Sequence, residues 1–262
     1  DLVQQPGPAR QLAGDHFSGL SRYVARYGPF PVWDKTQARY FPCGEAMYPN
    51  LLADLEKAEK FIFLEYFIVR SGKMWSGVEE ILMRKAAQGV DVRLIYDDFG
   101  SLLGLPTDFV VRMERAHIRC IPFNPVVPLL SLVMNHRDHR KIVVIDNKVA
   151  YVGGFNVGKE YIDLDERFGH WRDTHLRIRG SAVLSLQARF VLDWNYAARE
   201  NLFLQPELFR GIEAGTRDFC DLQIISSGPD KTTQQIHDNY LRLINKAQKL
   251  SLIHISEPTR QE

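Results

Sequence analysis

The sequence predicts an α/β fold, and three stretches carry that prediction. Residues 49–60 place Leu51, Leu52, Leu55 and Ala58 at helical spacing and run into 61–69, an almost wholly apolar and aromatic stretch that reads as a buried strand. Residues 75–88 repeat the helical period at Val78, Ile81 and Leu82, Gly89 stops it, and 90–96 reads as a second strand ending at Asp97 and Asp98. Strand, helix, strand in that order predicts a βαβ unit with a parallel pair. Residues 182–199 form a long amphipathic helix with Leu186, Phe190, Leu192 and Trp194 on its apolar positions. Alternation of this kind sets the class.

The elements between follow the same logic. Residues 107–116 read as a helix, 118–122 as a short strand, and 124–134 as a proline-containing apolar loop. Residues 140–145 form a strand, Asn147-Lys148 a tight turn, and 149–152 a strand that runs into Gly153-Gly154. Residues 175–178 and 221–226 add strands, and 234–249 a helix with Ile236, Tyr240, Leu241, Leu243, Ile244 and Ala247 apolar. The close of that helix, Ala247-Gln-Lys249, echoes Ala58-Glu-Lys60, and each is followed by apolar residues. This echo predicts an internal repeat whose second copy has just begun.

Composition narrows the class of protein but not its partner. The 262 residues carry 33 Lys and Arg against 32 Asp and Glu, a net charge of +1, so no global field points to a polyanion. Cys43, Cys120 and Cys220 lie far apart with no CxxC pair, against a disulfide framework or thiolate zinc site and in favour of a reducing compartment. No apolar run approaches the roughly 18–20 residues that a bilayer-spanning helix needs.

The chemistry concentrates in Asn135-His-Arg-Asp-His-Arg-Lys-Ile-Val-Val-Ile-Asp146. Side chains two apart on a strand share a face, so His139 and Lys141 project together and Arg140 points to the other side. An imidazole can attack or donate a proton near neutral pH, and a fixed ammonium favours charge developing on phosphoryl oxygens. The pair suits phosphoryl transfer without a metal. Downstream, Gly153-Gly154-Phe-Asn156 lets backbone approach a ligand and offers an amide donor, with Gly154 and Asn156 in the phosphate-binding set. Asp173 is the carboxylate expected to hold His139 in its working tautomer. A metal site on His136, Asp138 and His139 would need a bulge, because His136 and His139 face opposite sides of a strand.

His139-x-Lys141-x4-Asp146-x6-Gly153-Gly154-x-Asn156 resembles the HxKxxxxD signature of the phospholipase D superfamily. The segments Phe61-Ile-Phe-Leu-Glu-Tyr-Phe-Ile68, Tyr96-Asp-Asp-Phe-Gly100, Glu160-Tyr161 and Phe168-Gly-His-Trp-Arg-Asp173 resemble those of bacterial cardiolipin synthases, over about residues 33–249. The resemblance implies an αβα sandwich with a mixed, mostly parallel sheet, the first half of a two-repeat enzyme. It makes His139 one of two catalytic histidines, Lys141 a phosphate clamp and Asp146 the motif acid, the last with an anchoring role in the hairpin as the alternative. It implies transfer of a phosphatidyl group between two phosphatidylglycerol molecules through a phosphohistidine, giving cardiolipin and glycerol. No cofactor or metal is implied, the partners are phospholipid and membrane surface rather than nucleic acid, and the catalytic domain lies on the cytoplasmic side of the cell membrane. Glu65, a lone carboxylate in an apolar strand, is the candidate for contact with the acceptor or leaving alcohol, or else a buried acid satisfied by a neighbouring backbone group or arginine.

Four segments are expected: a linker over 1–32, a first phospholipase D-like domain over 33–215, the start of a truncated second one over 216–249, and a tail over 250–262. Leu250-Ser-Leu-Ile-His-Ile-Ser-Glu-Pro-Thr-Arg260 reads as translated sequencing adapter, which leaves His254 without function. The superfamily needs two facing motifs and this chain shows one, so the chain alone is expected to turn over little or nothing, its second half missing. Two other readings stay open: a single-motif homodimeric phosphodiesterase or nuclease of the same superfamily, and an inactive module that binds lipid headgroups.

Overall fold

The computed structural model describes residues 15–28, 31–126, 136–165, 169–210, 220–228 and 234–247. In chain order its elements open with α1 (Asp15–Tyr27), β1 (Val32–Phe41), α2 (Gly44–Leu55), β2 (Phe61–Tyr66), α3 (Lys73–Ala87), β3 (Asp91–Asp97), α4 (Asp98–Ser101) and α5 (Phe109–Arg115). They continue with β4 (Arg119–Phe123), β5 (Lys141–Ile145), β6 (Val149–Gly153), β7 (His175–Gly180), α6 (Val183–Ala198), β8 (Cys220–Gln223) and α7 (Gln235–Lys246). Chain contacts gather these into two units, Lys35–Cys220 and Asp1–Asp34 with Asp221–Glu262.

The larger unit is built on a mixed sheet with strands in the order β4-β3-β2-β5-β6-β7-β1. Strand β2 is buried at every position because helices cover both of its faces. Ile62, Leu64 and Tyr66 join Met47, Leu51, Trp75, Val78, Leu82 and Phe109 in one core beneath α2, α3 and α5. Phe63, on the opposite face, stacks on Phe190 of α6 with ring centroids 4.7 Å apart. Each fully buried apolar side chain contributes about 1.5–3 kcal/mol, so the two layers fix which face each β2 residue takes.

The α/β class and the helix layers on both faces match the expected sandwich, while the strand directions correct it. Parallel pairing is confined to β2 with β3 and β3 with β4. The pairs β2–β5, β5–β6, β6–β7 and β1–β7 are antiparallel. Only the first two pairs are joined through a helix, and a helical crossover is what returns the chain in the same direction. The β5–β6 turn centres on Asp146 and Asn147, both with positive φ (53° and 57°), one residue earlier than expected. Such a turn carries the twist of its flanking strands.

Two further differences have local causes. Helix α2 starts at Gly44 and carries Pro49 inside it, not at its first turn, with buried Met47 and Leu51 on either side of the proline. Strand β1 was not legible, because Asp34, Lys35, Gln37 and Arg39 give it no apolar alternation. The expected loop over 124–134 is described only to residue 126, and the repeat's Lys249 lies outside the described residues.

In the smaller unit α1 and α7 are held by Tyr23, whose hydroxyl donates to Asp238 Oδ2 at 2.6 Å while Arg242 lies 3.8 Å over its ring. Gln223 of β8 donates to the Ser21 carbonyl at 3.3 Å. Residues 15–27 of the expected linker are therefore helical.

Candidate active site

The carboxyl ends of β2, β3 and β6 and the amino ends of β5 and β7 meet at one edge of the sheet, since Tyr66 pairs with Lys141, Ile142 with Val152 and Gly153 with His175. Open α/β sheets gather ligands at such an edge. Lys141 is the first residue of β5 and shares the face of Tyr66, and His139 stands two residues earlier on the lead-in to the strand. The Lys141 ammonium donates to the carbonyl oxygen of His139 at 2.6 Å and lies 5.3 Å from the centre of the Phe67 ring. The His139 ring packs against the same phenyl at 4.8 Å. Imidazole and ammonium thus share one aromatic platform.

Burial governs the charge of both groups. It pushes the Lys141 amine down to about 8, against the upward pull of Asp138 and Asp173. Burial first, and then the Lys141 charge, hold His139 below its ordinary 6.5, with Asp138 and Asp97 opposing. At neutral pH the imidazole is therefore unprotonated while most of the ammonium stays charged, the combination that nucleophilic attack on a phosphodiester anion requires.

The glycine pair makes room for neighbouring protein. A Cβ on Gly154 would lie 1.9 Å from Asp173 Oδ1, and one on Gly153 would lie 2.3 Å from the Thr174 carbonyl oxygen. Asp173 thereby reaches the Lys141 side of the site, where it accepts from the Thr174 N–H at 2.7 Å. Among the described residues it makes no hydrogen bond to His139. Asn156 is buried, its Oδ1 accepting from the Ile68 N–H at 3.0 Å and its Nδ2 donating to the Tyr161 hydroxyl at 2.8 Å. One amide hydrogen is left for a ligand.

Asp146 and Glu65 stand apart from this group. Asp146 closes the opposite end of β5, where its carboxylate accepts from the backbone N–H of Glu59, Lys60 and Phe61 at 2.8–2.9 Å. Its inclusion among catalytic residues is corrected to the anchoring alternative, because both oxygens are engaged by the start of β2. Asp146→Ala is expected to lower stability by about 3 kcal/mol in urea unfolding while leaving His139 as reactive toward diethyl pyrocarbonate as before. A fall in that reactivity within the folded fraction would restore a role at the site. Glu65 pairs with Ile142, so it faces α6, across the sheet from Lys141, and is fully buried. There it lies 3.9 Å from Arg140, whose Nη1 is also 3.0 Å from Asp138 and 3.4 Å from Asp193. Burial first, then Asp138 and Asp193, raise its carboxyl well above the ordinary range, so this layer disfavours the charged form of Glu65.

Sequence reasoning missed four contributors. Phe67 supplies the platform, and Arg140 ties the motif to α6. Asp97 accepts from the Asp138 N–H at 3.0 Å and the Gly100 N–H at 2.9 Å, clamping the approach to β5. His175 is buried against Phe155 at 5.3 Å and pushed down to about 3 by burial and then by Lys141, so it is a neutral neighbour of the ammonium. The doubled aspartate that ends β3 was the one available signal. Among the described residues the grouping able to hold a metal ion is Glu45, Asp163 and His170, all solvent-accessible, and it includes none of His136, Asp138 or His139.

Residues 51–169, which contain Phe67, His139 and Lys141, match the family described as cardiolipin synthase, PLD-like domain. The chain belongs to the phospholipase D superfamily. It is 40% identical over 207 residues to a cardiolipin synthase of Oceanobacillus iheyensis, covering 79% of this chain and 42% of that one. A cardiolipin synthase of Geobacillus kaustophilus is 40% identical over 254 residues, covering 94% and 49%. The chain therefore spans about half the length of the curated relatives it matches. Among solved structures, a phosphatidylserine synthase of Haemophilus influenzae Rd KW20 superposes with a TM-score of 0.51 at 14% identity, covering 69% of this chain and 41% of that one. This supports the phospholipase D-like fold alone.

Proposed function

We propose that this chain is the first catalytic half of a cardiolipin synthase-type phosphatidyltransferase, with two phosphatidylglycerol molecules as substrates and cardiolipin and glycerol as products. The observation that carries it is the Lys141 ammonium, buried and hydrogen-bonded at 2.6 Å to the backbone of His139, in a chain matched to that family over residues 51–169. His139 supplies one of two imidazoles. An imidazole nitrogen forms a bond to phosphorus as the phosphorus–oxygen bond to glycerol breaks, and the leaving glycerol takes a proton from the second histidine. A hydroxyl of the second phosphatidylglycerol then attacks, the phosphorus–nitrogen bond breaks, and that hydroxyl proton returns to the second histidine. Lys141 and the remaining Asn156 N–H hold the non-bridging oxygens, and Asp173 supports the charge of Lys141.

The second imidazole belongs to the half of the relatives' length that this chain does not span, so the 262 residues alone are expected to turn over little. Membrane surface is the working environment, with the catalytic domain on its cytoplasmic side. The test is phosphatidylglycerol turnover by a protein of the relatives' full length, wild type against His139→Ala. Cardiolipin and glycerol should form in equal amounts in the presence of EDTA, and the variant should lose at least about a thousandfold. Retention of activity in the variant, or collapse on chelation, refutes the proposal.

A further inference from the structure

The residues that follow β3 form a lip beside His139 whose side chains the proposed chemistry does not use. Phe99 is 56% exposed, Leu102 53% and Leu103 100%. Single exposed leucines are ordinary on a protein surface. These three fall within five residues of one another, and their backbone is fastened. The Val69 N–H donates to Ser101 Oγ at 3.0 Å, the Ser71 N–H to the Gly104 carbonyl at 2.8 Å, and the Gly100 N–H to Asp97 at 2.9 Å. Gly100 lies so close to Phe67 that a Cβ there would be 2.3 Å from the Phe67 carbonyl oxygen. Phe67 in turn carries His139 on its ring at 4.8 Å. The lip is thus continuous with the site, and it holds apolar side chains in water because its own hydrogen bonds keep it from folding them back.

We propose that Phe99, Leu102 and Leu103 insert into the apolar side of a lipid bilayer interface and so bring His139 to the level of the headgroups. The choice of a bilayer as occupant rests on the phosphatidyl-transfer reading, since a substrate whose phosphodiester reaches His139 keeps its acyl chains in the membrane, and the lip adjoins that imidazole through Phe67. Little of the attraction is electrostatic. The net charge is +1, Arg70 beside the lip is paired with Glu160 at 2.9 Å, and Arg137, 5.4 Å from the Phe99 ring, lies 3.5 Å from Asp97. Insertion of apolar side chains, unlike attraction to anionic lipid, is insensitive to screening.

The test is co-sedimentation of the full 262-residue chain with vesicles of phosphatidylcholine and of phosphatidylglycerol, in low and in high salt. The wild type should bind both to a similar extent at either salt concentration. The double variant Leu102→Ser, Leu103→Ser should lose about tenfold or more per leucine with an unchanged melting temperature, because both positions are surface-exposed. His139→Ala should bind as the wild type does. Failure of the wild type to bind, equal binding by the double variant, or binding confined to anionic vesicles at low salt overturns the inference. So does a dimer that the double variant converts to monomer, since the lip would then be covered by a second copy. Vesicle binding through the lip together with failed transfer chemistry in the full-length test would refute the proposed function and leave the lip standing.

Discussion

Replacing Arg140 by methionine is expected to destabilise the fold by about 3–5 kcal/mol, the largest effect of any single substitution near the site. Its guanidinium sits beneath the sheet, 3.0 Å from Asp138, 3.4 Å from Asp193 and 3.9 Å from Glu65. Burial alone would lower its pKa, and Asp193, Glu65 and Asp138 outweigh that and raise it, so Arg140 remains charged. Without it Asp138 and Asp193 are left in a poorly solvated layer beside Glu65, with Arg189 on Asp193 as partial compensation. Glu65→Gln, by contrast, should change stability by less than about 1 kcal/mol, because burial and the neighbouring Asp138 and Asp193 already disfavour the charged form of the carboxyl it replaces. Urea unfolding of both variants at neutral pH separates the two. A larger loss for Glu65→Gln than for Arg140→Met would mean that Glu65 is the charged member of the cluster.

Lys141→Met should act in the opposite direction, raising the unfolding free energy at pH 7 by roughly 2 kcal/mol while removing the phosphate clamp. The folded chain holds this amine at about 8 against an ordinary 10.5, so keeping it charged at pH 7 opposes folding. The lost hydrogen bond to the His139 carbonyl offsets part of the gain. The sign is set by the depressed value. Between pH about 8 and 10.5 the unfolded chain keeps a proton that the folded chain has released, so this group makes wild-type stability rise across that window. The variant lacks that rise, and the gap between the two should close by the upper end of the window. Urea unfolding at several pH values checks it, and a gap independent of pH would assign the difference to packing instead. A residue that weakens the fold it belongs to is retained for its chemistry.

Much of this architecture is legible in the order of residues, and the rest is hidden for identifiable reasons. β2, α3, β3 and α6 announce themselves because burial on one face or both imposes a period on local sequence. The closeness of His139 to Lys141 is legible in their spacing of two, although only Lys141 lies on β5 and the Phe67 ring that both meet comes from elsewhere in the chain. What sequence cannot show is the far partner. Asp146 meets Lys60 across 86 positions, Asp97 meets Asp138 across 41, and Gly154 takes its meaning from a carboxylate in another segment. The glycine pair looked like a ligand cradle because nothing nearby in sequence places Asp173 and Thr174 against it. Glu65 looked like a substrate contact because strand parity with Lys141 depends on register between β2 and β5, and register is a property of the pair.

The two ends of β5 explain why the motif has the spacing it does. Lys141 sits opposite Tyr66, and Asp146 grips the amide of Phe61, the first residue of the same neighbouring strand. The interval between them is thus a ruler laid along β2, cut to its length. Adding or removing one residue would turn the ammonium through the sheet or tear the carboxylate from its anchor, so the gap tolerates changes of letter but not of number.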